Sequence, residues 1–112
     1  MRIFLASGDL QARARVAAAA ERIGAEVVDG AATDFGDRLE AIDTLIIDLD
    51  AGREAALAEL APLAADGRLP ARVIGFFSHI DGDLEAAATA AGVEAVRRGR
   101  FWRDLEKILG GA

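Results

Sequence analysis

The sequence contains no cysteine, no tyrosine, one histidine and one tryptophan among its 112 residues. The absence of cysteine excludes disulfide bonds, thiolate metal sites and cysteine nucleophiles. No apolar run approaches the roughly 20 residues that cross a bilayer, and the first residues lack the apolar segment of a signal peptide, so we expect a cytoplasmic protein. The net charge of −6 disfavours broad binding to nucleic acid or to an anionic membrane, because both repel an acidic surface.

What the sequence does contain is a regular alternation of apolar strands and alanine-rich helices. Its length fits one domain, residues 1–112, with a mostly aliphatic core. The predicted strands are Arg2–Ala6, Glu26–Val28, Leu45–Leu49, Arg72–Phe77 and Val93–Val96. The predicted helices are Leu10–Ile23, a short one within Asp34–Ala41, Arg53–Ala65 with a kink or end near Pro62, Asp83–Ala91 and Trp102–Leu109. Strict alternation predicts an α/β fold in which helices cover both faces of a five-stranded parallel sheet.

The third predicted strand ends on two acids, Asp48 and Asp50. In open α/β sheets, ligands bind in the crevice beyond the carboxyl ends of the strands. The two aspartates therefore stand where chemistry would take place. Asp9 follows the first strand and Ser78 follows the fourth, so we expect both at the same edge of the sheet.

Several spacings match one known family. The segment Asp43–Leu49 corresponds to a strand that ends in a phosphoacceptor aspartate, and Ala91-Gly92 corresponds to the turn before a fifth strand. Positions of the first helix and second strand fit as well: Arg13, Val16, Ala20, Gly24 and Val27. Over nearly its whole length the chain thus resembles the receiver domain of bacterial two-component response regulators. The resemblance implies a flavodoxin-like fold, with Asp48 at the phosphoacceptor position and Ser78, 30 positions further on, as the hydroxyl that hydrogen-bonds the phosphoryl group.

The chain departs from this family at the residues that support phosphorylation. Receivers hold Mg²⁺ with a pair of acids after the first strand, but here Ser7 and Gly8 stand at those places and only Asp9 is acidic. Mg²⁺ prefers carboxylate oxygens and neutralises charge in phosphoryl transfer. Asp9 and Asp48 are therefore weak metal candidates, and we expect no cofactor unless the chain is phosphorylated.

The family's conserved lysine is absent too. Its place falls on Gly99 or Arg100, depending on the residue from which it is counted. Arg98 or Arg100 could pair with Asp48, although a planar guanidinium is not equivalent to a lysine ammonium. The resemblance therefore favours a degenerate pseudo-receiver without catalytic activity.

One basic and aromatic cluster follows the fifth strand, and it consists of Arg97, Arg98, Arg100, Phe101, Trp102 and Arg103. Receivers use this region for dimerisation or partner docking, and Trp and Arg often anchor protein interfaces. We therefore expect a protein partner or a homodimer at this edge. A solvated arginine rim around a buried aromatic residue is an equally good interpretation.

Three alternatives remain. The chain could be an active receiver that accepts phosphate on Asp48 from a histidine kinase, with Mg²⁺ as its cofactor. Asp48 and Asp50 also imitate the Asp-x-Asp motif of Toprim metal-dependent enzymes, although no glutamate follows the first strand. His79, the only histidine, could act as a base or a metal ligand, but a loop residue is the more common outcome.

Overall fold

A computed structural model of the chain describes residues 1–32, 35–78 and 82–110. Its strands are β1 (Arg2–Ala6), β2 (Glu26–Gly30), β3 (Thr44–Asp48), β4 (Arg72–Phe77) and β5 (Glu94–Arg97). Its α-helices are α1 (Leu10–Ile23), α2 (Arg53–Ala65), α3 (Gly82–Ala90), α4 (Arg98–Arg103) and α5 (Leu105–Leu109). Two 3₁₀ turns cover Gly36–Arg38 and Leu49–Ala51.

The five strands form one sheet in the order β2-β1-β3-β4-β5, and every neighbouring pair is parallel. This order is that of flavodoxin-like doubly wound sheets. All carboxyl ends therefore meet at one edge, with the reversal of strand order between β1 and β3. The predicted α/β class with a five-stranded parallel sheet is confirmed.

The core lies in two layers, one on each face of the sheet. Because successive strand residues point to opposite faces, Ile3 and Leu5 pack against the layer of α1, α4 and α5. Phe4 and Ala6 pack on the other face, with α2, α3 and the residues around the first 3₁₀ turn. Burial of each large apolar side chain contributes about 1.5–3 kcal/mol to folding.

Helix α1 shows how closely local sequence sets an element's bounds. The Asp9 carboxylate accepts a hydrogen bond from the Gln11 backbone N–H at 2.9 Å, which satisfies a donor at the N-terminus of the helix. Gly24 ends the helix with φ of 76°, a left-handed conformation that favours glycine. Both ends agree with the predicted Leu10–Ile23.

The connection between β2 and β3 differs most from the prediction. Instead of a short helix within 34–41, the described part contains only the 3₁₀ turn Gly36–Arg38. The predicted apolar contacts are nonetheless made, because Phe35, Leu39 and Ile42 are buried. Irregular chain therefore covers the core here, and an open groove of about 550 Å³ lies between the turn and α2.

The last predicted helix, Trp102–Leu109, also differs. It begins four residues earlier, at Arg98, and is interrupted at Asp104, which gives α4 and α5. Helix α2 continues past Pro62 to Ala65, so the proline does not end it. In the ranges described, no helix combines the length and apolar character that a membrane crossing requires.

Gly75 in the middle of β4 allows the turn after β3 to pack closely on the sheet. A β-carbon at this position would lie 2.6 Å from Leu49 Cδ1 and 3.0 Å from Val93 Cγ1. Leu49 is 2% exposed and has little room to withdraw. We predict that Gly75→Val lowers the free energy of unfolding by about 1–3 kcal/mol through overpacking.

Urea unfolding followed by circular dichroism measures this loss. Gly99→Ala is the matched control, because Gly99 lies in α4 with nothing within 4 Å of the place that an alanine methyl group would occupy, and alanine favours a helix. An unchanged unfolding midpoint for Gly75→Val would show that the Leu49 packing is loose.

Candidate functional site

The candidate site lies at the carboxyl edge of the sheet, around Asp48. Asp48 is the last residue of β3 and is 5% exposed. Its Oδ2 accepts a hydrogen bond from the Ser7 hydroxyl at 3.2 Å, and its Oδ1 accepts one from the Asp50 backbone N–H at 3.1 Å. A buried carboxylate is costly without partners, and both of its oxygens have them here.

Asp50 lies beside Asp48 in the second 3₁₀ turn. Its Oδ1 accepts a hydrogen bond from the Ser78 backbone N–H at 3.0 Å, and its Oδ2 accepts one from the Ser78 hydroxyl at 2.6 Å. Ser78 thus contacts Asp50, and the structure shows no hydrogen bond from it to Asp48 among the described residues. Ser78 thereby joins the end of β4 to the turn after β3, and its predicted hydrogen bond to a phosphoryl group stays a prediction.

Arg98 joins the two aspartates. Its Nη2 lies 3.1 Å from Asp48 Oδ1, and its Nε lies 3.0 Å from Asp50 Oδ2. The guanidinium carbon also lies 4.7 Å from the centre of the Phe76 ring, a cation–π distance. One fixed cation therefore sits between the two carboxylates at the mouth of the site.

The charge and hydrogen bonds around Asp50 also set its protonation. Burial alone would raise the pKa of Asp50, but the Ser78 hydroxyl and backbone N–H together with Arg98 outweigh it, so that the pKa lies below the usual 3.8. Hydrogen bonds to the ionised form favour that form. Asp50 is therefore an anion at neutral pH.

The acids do not assemble a metal site. Asp9 caps α1 with its carboxylate, and its backbone N–H donates to the Ser7 hydroxyl at 3.2 Å. No group of three or more histidine or acidic residues that could hold a metal ion occurs in residues 1–32, 35–78 and 82–110.

Within residues 1–32, 35–78 and 82–110, the acids around Asp48 therefore offer no ready Mg²⁺ site. Hard cations need several oxygen ligands that are free to coordinate, whereas the Asp48 and Asp50 oxygens are held by Arg98 and the two serines. This arrangement also gives no support to the Toprim alternative, which needs a metal.

The predicted pocket residues are only partly brought together. Asp48, Asp50, Ser78 and Arg98 form one connected network. Arg100 does not join it, because its side chain is 64% exposed and lies 4.0 Å from Asp104. His79 lies outside the described residues.

Two members of the site are not evident from the sequence. There Ser7 is conspicuous only because it stands at the place of an acid, yet in the structure it is fully buried and donates to Asp48. Phe76 reads as an ordinary strand residue, yet its ring lies under the Arg98 guanidinium. One sequence signal does point to Ser7. It is a hydroxyl residue that directly follows a buried strand, and the neighbouring strand in the sheet ends in an acid.

The predicted interface cluster separates into different environments. Phe101 is fully buried, and its ring stacks on Phe76 with the centroids 4.7 Å apart. Its expected role in an interface is therefore corrected, because a core side chain is not available to a partner. Arg98 is engaged in the pocket, and Trp102 is half-buried under Arg15. The exposed members are Arg97, Arg100 and Arg103.

Removal of the bridging cation tests whether Arg98 stabilises the buried acid. Arg98→Met keeps an apolar stem over Phe76 but leaves the Asp48 carboxylate without its counter-charge. We expect a loss of about 2–4 kcal/mol in the free energy of unfolding at pH 7. Arg100→Met is the control, and because Arg100 is exposed its loss should stay below about 0.5 kcal/mol. Equal losses for the two variants would contradict the role of Arg98.

The pH dependence of Asp50 provides a second test. Because the pKa of Asp50 is lower in the folded chain than in the unfolded chain, its stabilising contribution is complete above the usual pKa and is lost as the pH falls through the folded pKa. Ser78→Ala removes the hydroxyl donor, so the pKa of Asp50 should rise and the loss should begin at higher pH. Carboxyl ¹³C shifts measure this pKa, and Thr89→Ala in α3 is the control. An unchanged pKa in Ser78→Ala would contradict the assigned cause.

Comparison with known proteins supports the fold. The sequence matches no protein-family model and no curated protein, but solved structures superpose over nearly the whole chain. CpaE of Burkholderia thailandensis, a candidate pilus assembly protein, is 27% identical with a TM-score of 0.76, over 99% of this chain and 96% of that one. A candidate pilus assembly-related protein of Burkholderia pseudomallei is 26% identical with a TM-score of 0.76, over 99% and 87% of the two chains.

Chemotaxis protein CheY4 of Vibrio cholerae is 12% identical with a TM-score of 0.79, over 98% of this chain and 96% of that one. At that identity the likeness concerns the fold alone. The strand order and these superpositions agree. The chain therefore has the receiver-domain fold, and its structural neighbours are CheY-like receiver domains of signalling proteins.

Proposed function

We propose that this chain is a non-catalytic pseudo-receiver that acts as a protein-interaction or dimerisation module in bacterial signalling or regulation. The observation that carries the proposal is the position of Arg98 between Asp48 and Asp50, 3.1 Å and 3.0 Å from their oxygens. Arg98 and the two serines already contact the carboxylate oxygens that a metal ion or a phosphoryl group would have to approach.

Phosphorylation of Asp48 would have to undo several contacts at once. An attacking carboxylate oxygen must be free to approach phosphorus in line with the leaving group. Oδ1 of Asp48 is shared by Arg98 and the Asp50 backbone, and Oδ2 is bound by Ser7. Phosphorylation would therefore require Arg98, the Asp50 backbone or Ser7 to release an oxygen of Asp48.

A second candidate is a phosphorylatable receiver that accepts phosphate on Asp48 from a histidine kinase. The observation in its favour is that a serine and a basic side chain lie at the same sheet edge as Asp48. Both groups could bind phosphoryl oxygens if Arg98 moved. This alternative requires Mg²⁺, for which the described acids form no site.

The neighbours also indicate a cellular context to test. Two neighbours above 25% identity are named for pilus assembly. We therefore include an assembly apparatus of that kind among the settings in which the module would bind its protein partner. Capture of the same partner by wild type and Asp48→Asn would fit a contact that does not depend on phosphate.

Phosphodonor labelling separates the two functions. With acetyl phosphate and Mg²⁺, we expect intact-mass spectrometry to detect no phosphorylated chain, and we expect beryllofluoride to leave the amide NMR spectrum around Asp48 unchanged. A receiver domain known to be phosphorylated serves as the positive control. A phosphorylated mass that disappears in Asp48→Asn would establish the second candidate and end the first.

A further inference from the structure

Charge is unevenly divided between the two helical layers. Residues 10–23 and 98–109, which contain α1, α4 and α5, hold seven of the 13 basic residues but only three of the 19 acidic ones. This layer therefore has a net charge of +4, whereas the whole chain has −6. The rest of the molecule is correspondingly more acidic. Such segregation creates complementary fields on opposite sides of one protein.

The basic layer contains a groove of about 460 Å³ between α1 and α5, which we name the basic groove. Half-buried Trp102 lies in it, and the Arg15 guanidinium carbon is 4.6 Å from the tryptophan ring centre. Arg103 and Lys107 line the same groove and are exposed. Neither Arg15 nor Lys107 forms an ion pair within the described part of the chain. Asp104 and Glu106 line the groove as well and pair with Arg103 and Arg22, so its four basic and two acidic residues give a net charge of +2. An aromatic residue beside an excess of positive charge is a suitable anchor for an acidic surface.

The opposite face holds the second groove, which lies between α2 and the 3₁₀ turn Gly36–Arg38. Apolar atoms of Ala58, Pro62 and Leu63 line it. We name it the acidic groove, because the acids Asp37, Glu59 and Asp66 line it against one basic residue, Arg68. Glu40 lies in the adjoining depression, which shares residues with this groove. The groove thus combines an apolar floor with a negative rim.

We propose that the basic groove of one chain docks on the acidic groove of a second copy, in a head-to-tail contact. This inference rests on the proposed function and names the partner and the surfaces of that interaction module. Each groove supplies what the other lacks: Trp102 and cations on one side, and an apolar floor with carboxylates on the other. Two basic grooves placed face to face would bring like charges together, so a symmetric dimer through either groove is disfavoured.

The positions of the grooves determine the kind of assembly. They lie on opposite faces of the sheet, because α1 and α5 cover one face while α2 and the 3₁₀ turn Gly36–Arg38 cover the other. A contact between different surfaces leaves one groove free at each end. Copies therefore add in a row, and the assembly grows with protein concentration.

Sedimentation velocity of the full chain tests the contact. We expect the weight-average mass to rise with concentration in 0.1 M NaCl and to fall toward the monomer in 1 M NaCl, because contact ion pairs are screened when the Debye length falls from about 10 Å to about 3 Å. A chain that stays monomeric up to about 1 mM in 0.1 M salt would overturn the inference.

Charge-reversed variants then distinguish head-to-tail from symmetric association. The basic-groove variant is Arg103→Glu with Lys107→Glu, and the acidic-groove variant is Asp37→Lys with Asp66→Lys. Each should raise the dissociation constant by about tenfold or more. The control, Glu26→Lys with Asp29→Lys, changes the net charge as much as the acidic-groove variant but lines neither groove. It should associate as wild type does.

The decisive sample mixes the two groove variants. Neither variant should associate alone, whereas their equimolar mixture should associate, because the intact groove of each variant meets an oppositely charged intact groove on the other and the two reversed grooves are complementary as well. No dimer in the mixture, or a wild-type dimer that does not grow, would overturn the head-to-tail contact. Binding of polyglutamate by a wild-type chain that remains monomeric would also overturn it, because the partner of the basic groove would then be another acidic protein.

These outcomes are separable from those of the proposed function. Absence of self-association removes the second copy as partner, yet it leaves the phosphodonor experiment to decide whether Asp48 is modified. Labelling of Asp48 removes the pseudo-receiver assignment, and the mixed-variant sample still reports on the grooves.

Discussion

The need to supply hydrogen-bond partners to a buried carboxyl group constrains the carboxyl edge of this sheet. Asp48 is nearly inaccessible to solvent, so its charge must be compensated by groups that the fold places within hydrogen-bond distance. Three groups donate to the Asp48 carboxylate: the hydroxyl of Ser7 after β1, the backbone N–H of Asp50 in the turn after β3, and the guanidinium of Arg98 at the start of α4. Three separate parts of the chain are thereby tied to one oxygen pair. The early start of α4 is consistent with this, because Arg98 is its first residue.

A metal ion or a phosphoryl group can enter and leave a pocket, but an arginine side chain cannot leave the protein. Under the proposed function, Arg98 therefore stays in the pocket permanently, and the pocket has no modified state that forms and then decays. Regulation would then act through the concentration of the protein and the availability of its binding partner. An interface whose assembly depends on concentration is suited to that kind of control.

Much of the architecture could be predicted from the sequence, since its signals are local. Strand β1 and helix α1 have their predicted bounds because an apolar run, an aspartate cap and a C-terminal glycine act within a few residues of each other. The segment before β3 could not be assigned as reliably. Its apolar residues, such as Phe35 and Leu39, are buried without a regular helix, so periodicity and backbone structure do not coincide there.

The site was harder to predict, because it depends on which side chains from distant segments meet. Spacing placed Asp48 at a strand end and included Arg98 among possible partners, but only the three-dimensional arrangement distinguishes Arg98 from Arg100. The two arginines are two positions apart on a short helix, so they point in different directions. Arg98 reaches the acids, while Arg100 lies beside Asp104.

The aromatic stack beneath Arg98 has an optical consequence. Phe76 lies under the guanidinium and contacts Trp102, with ring centroids 5.6 Å apart. Trp102 is the only tryptophan of the chain, and Arg15 covers its ring from the basic groove. One fluorophore thus borders both the aspartate pocket and the candidate docking surface, and its emission is an intrinsic reporter on either without any attached dye.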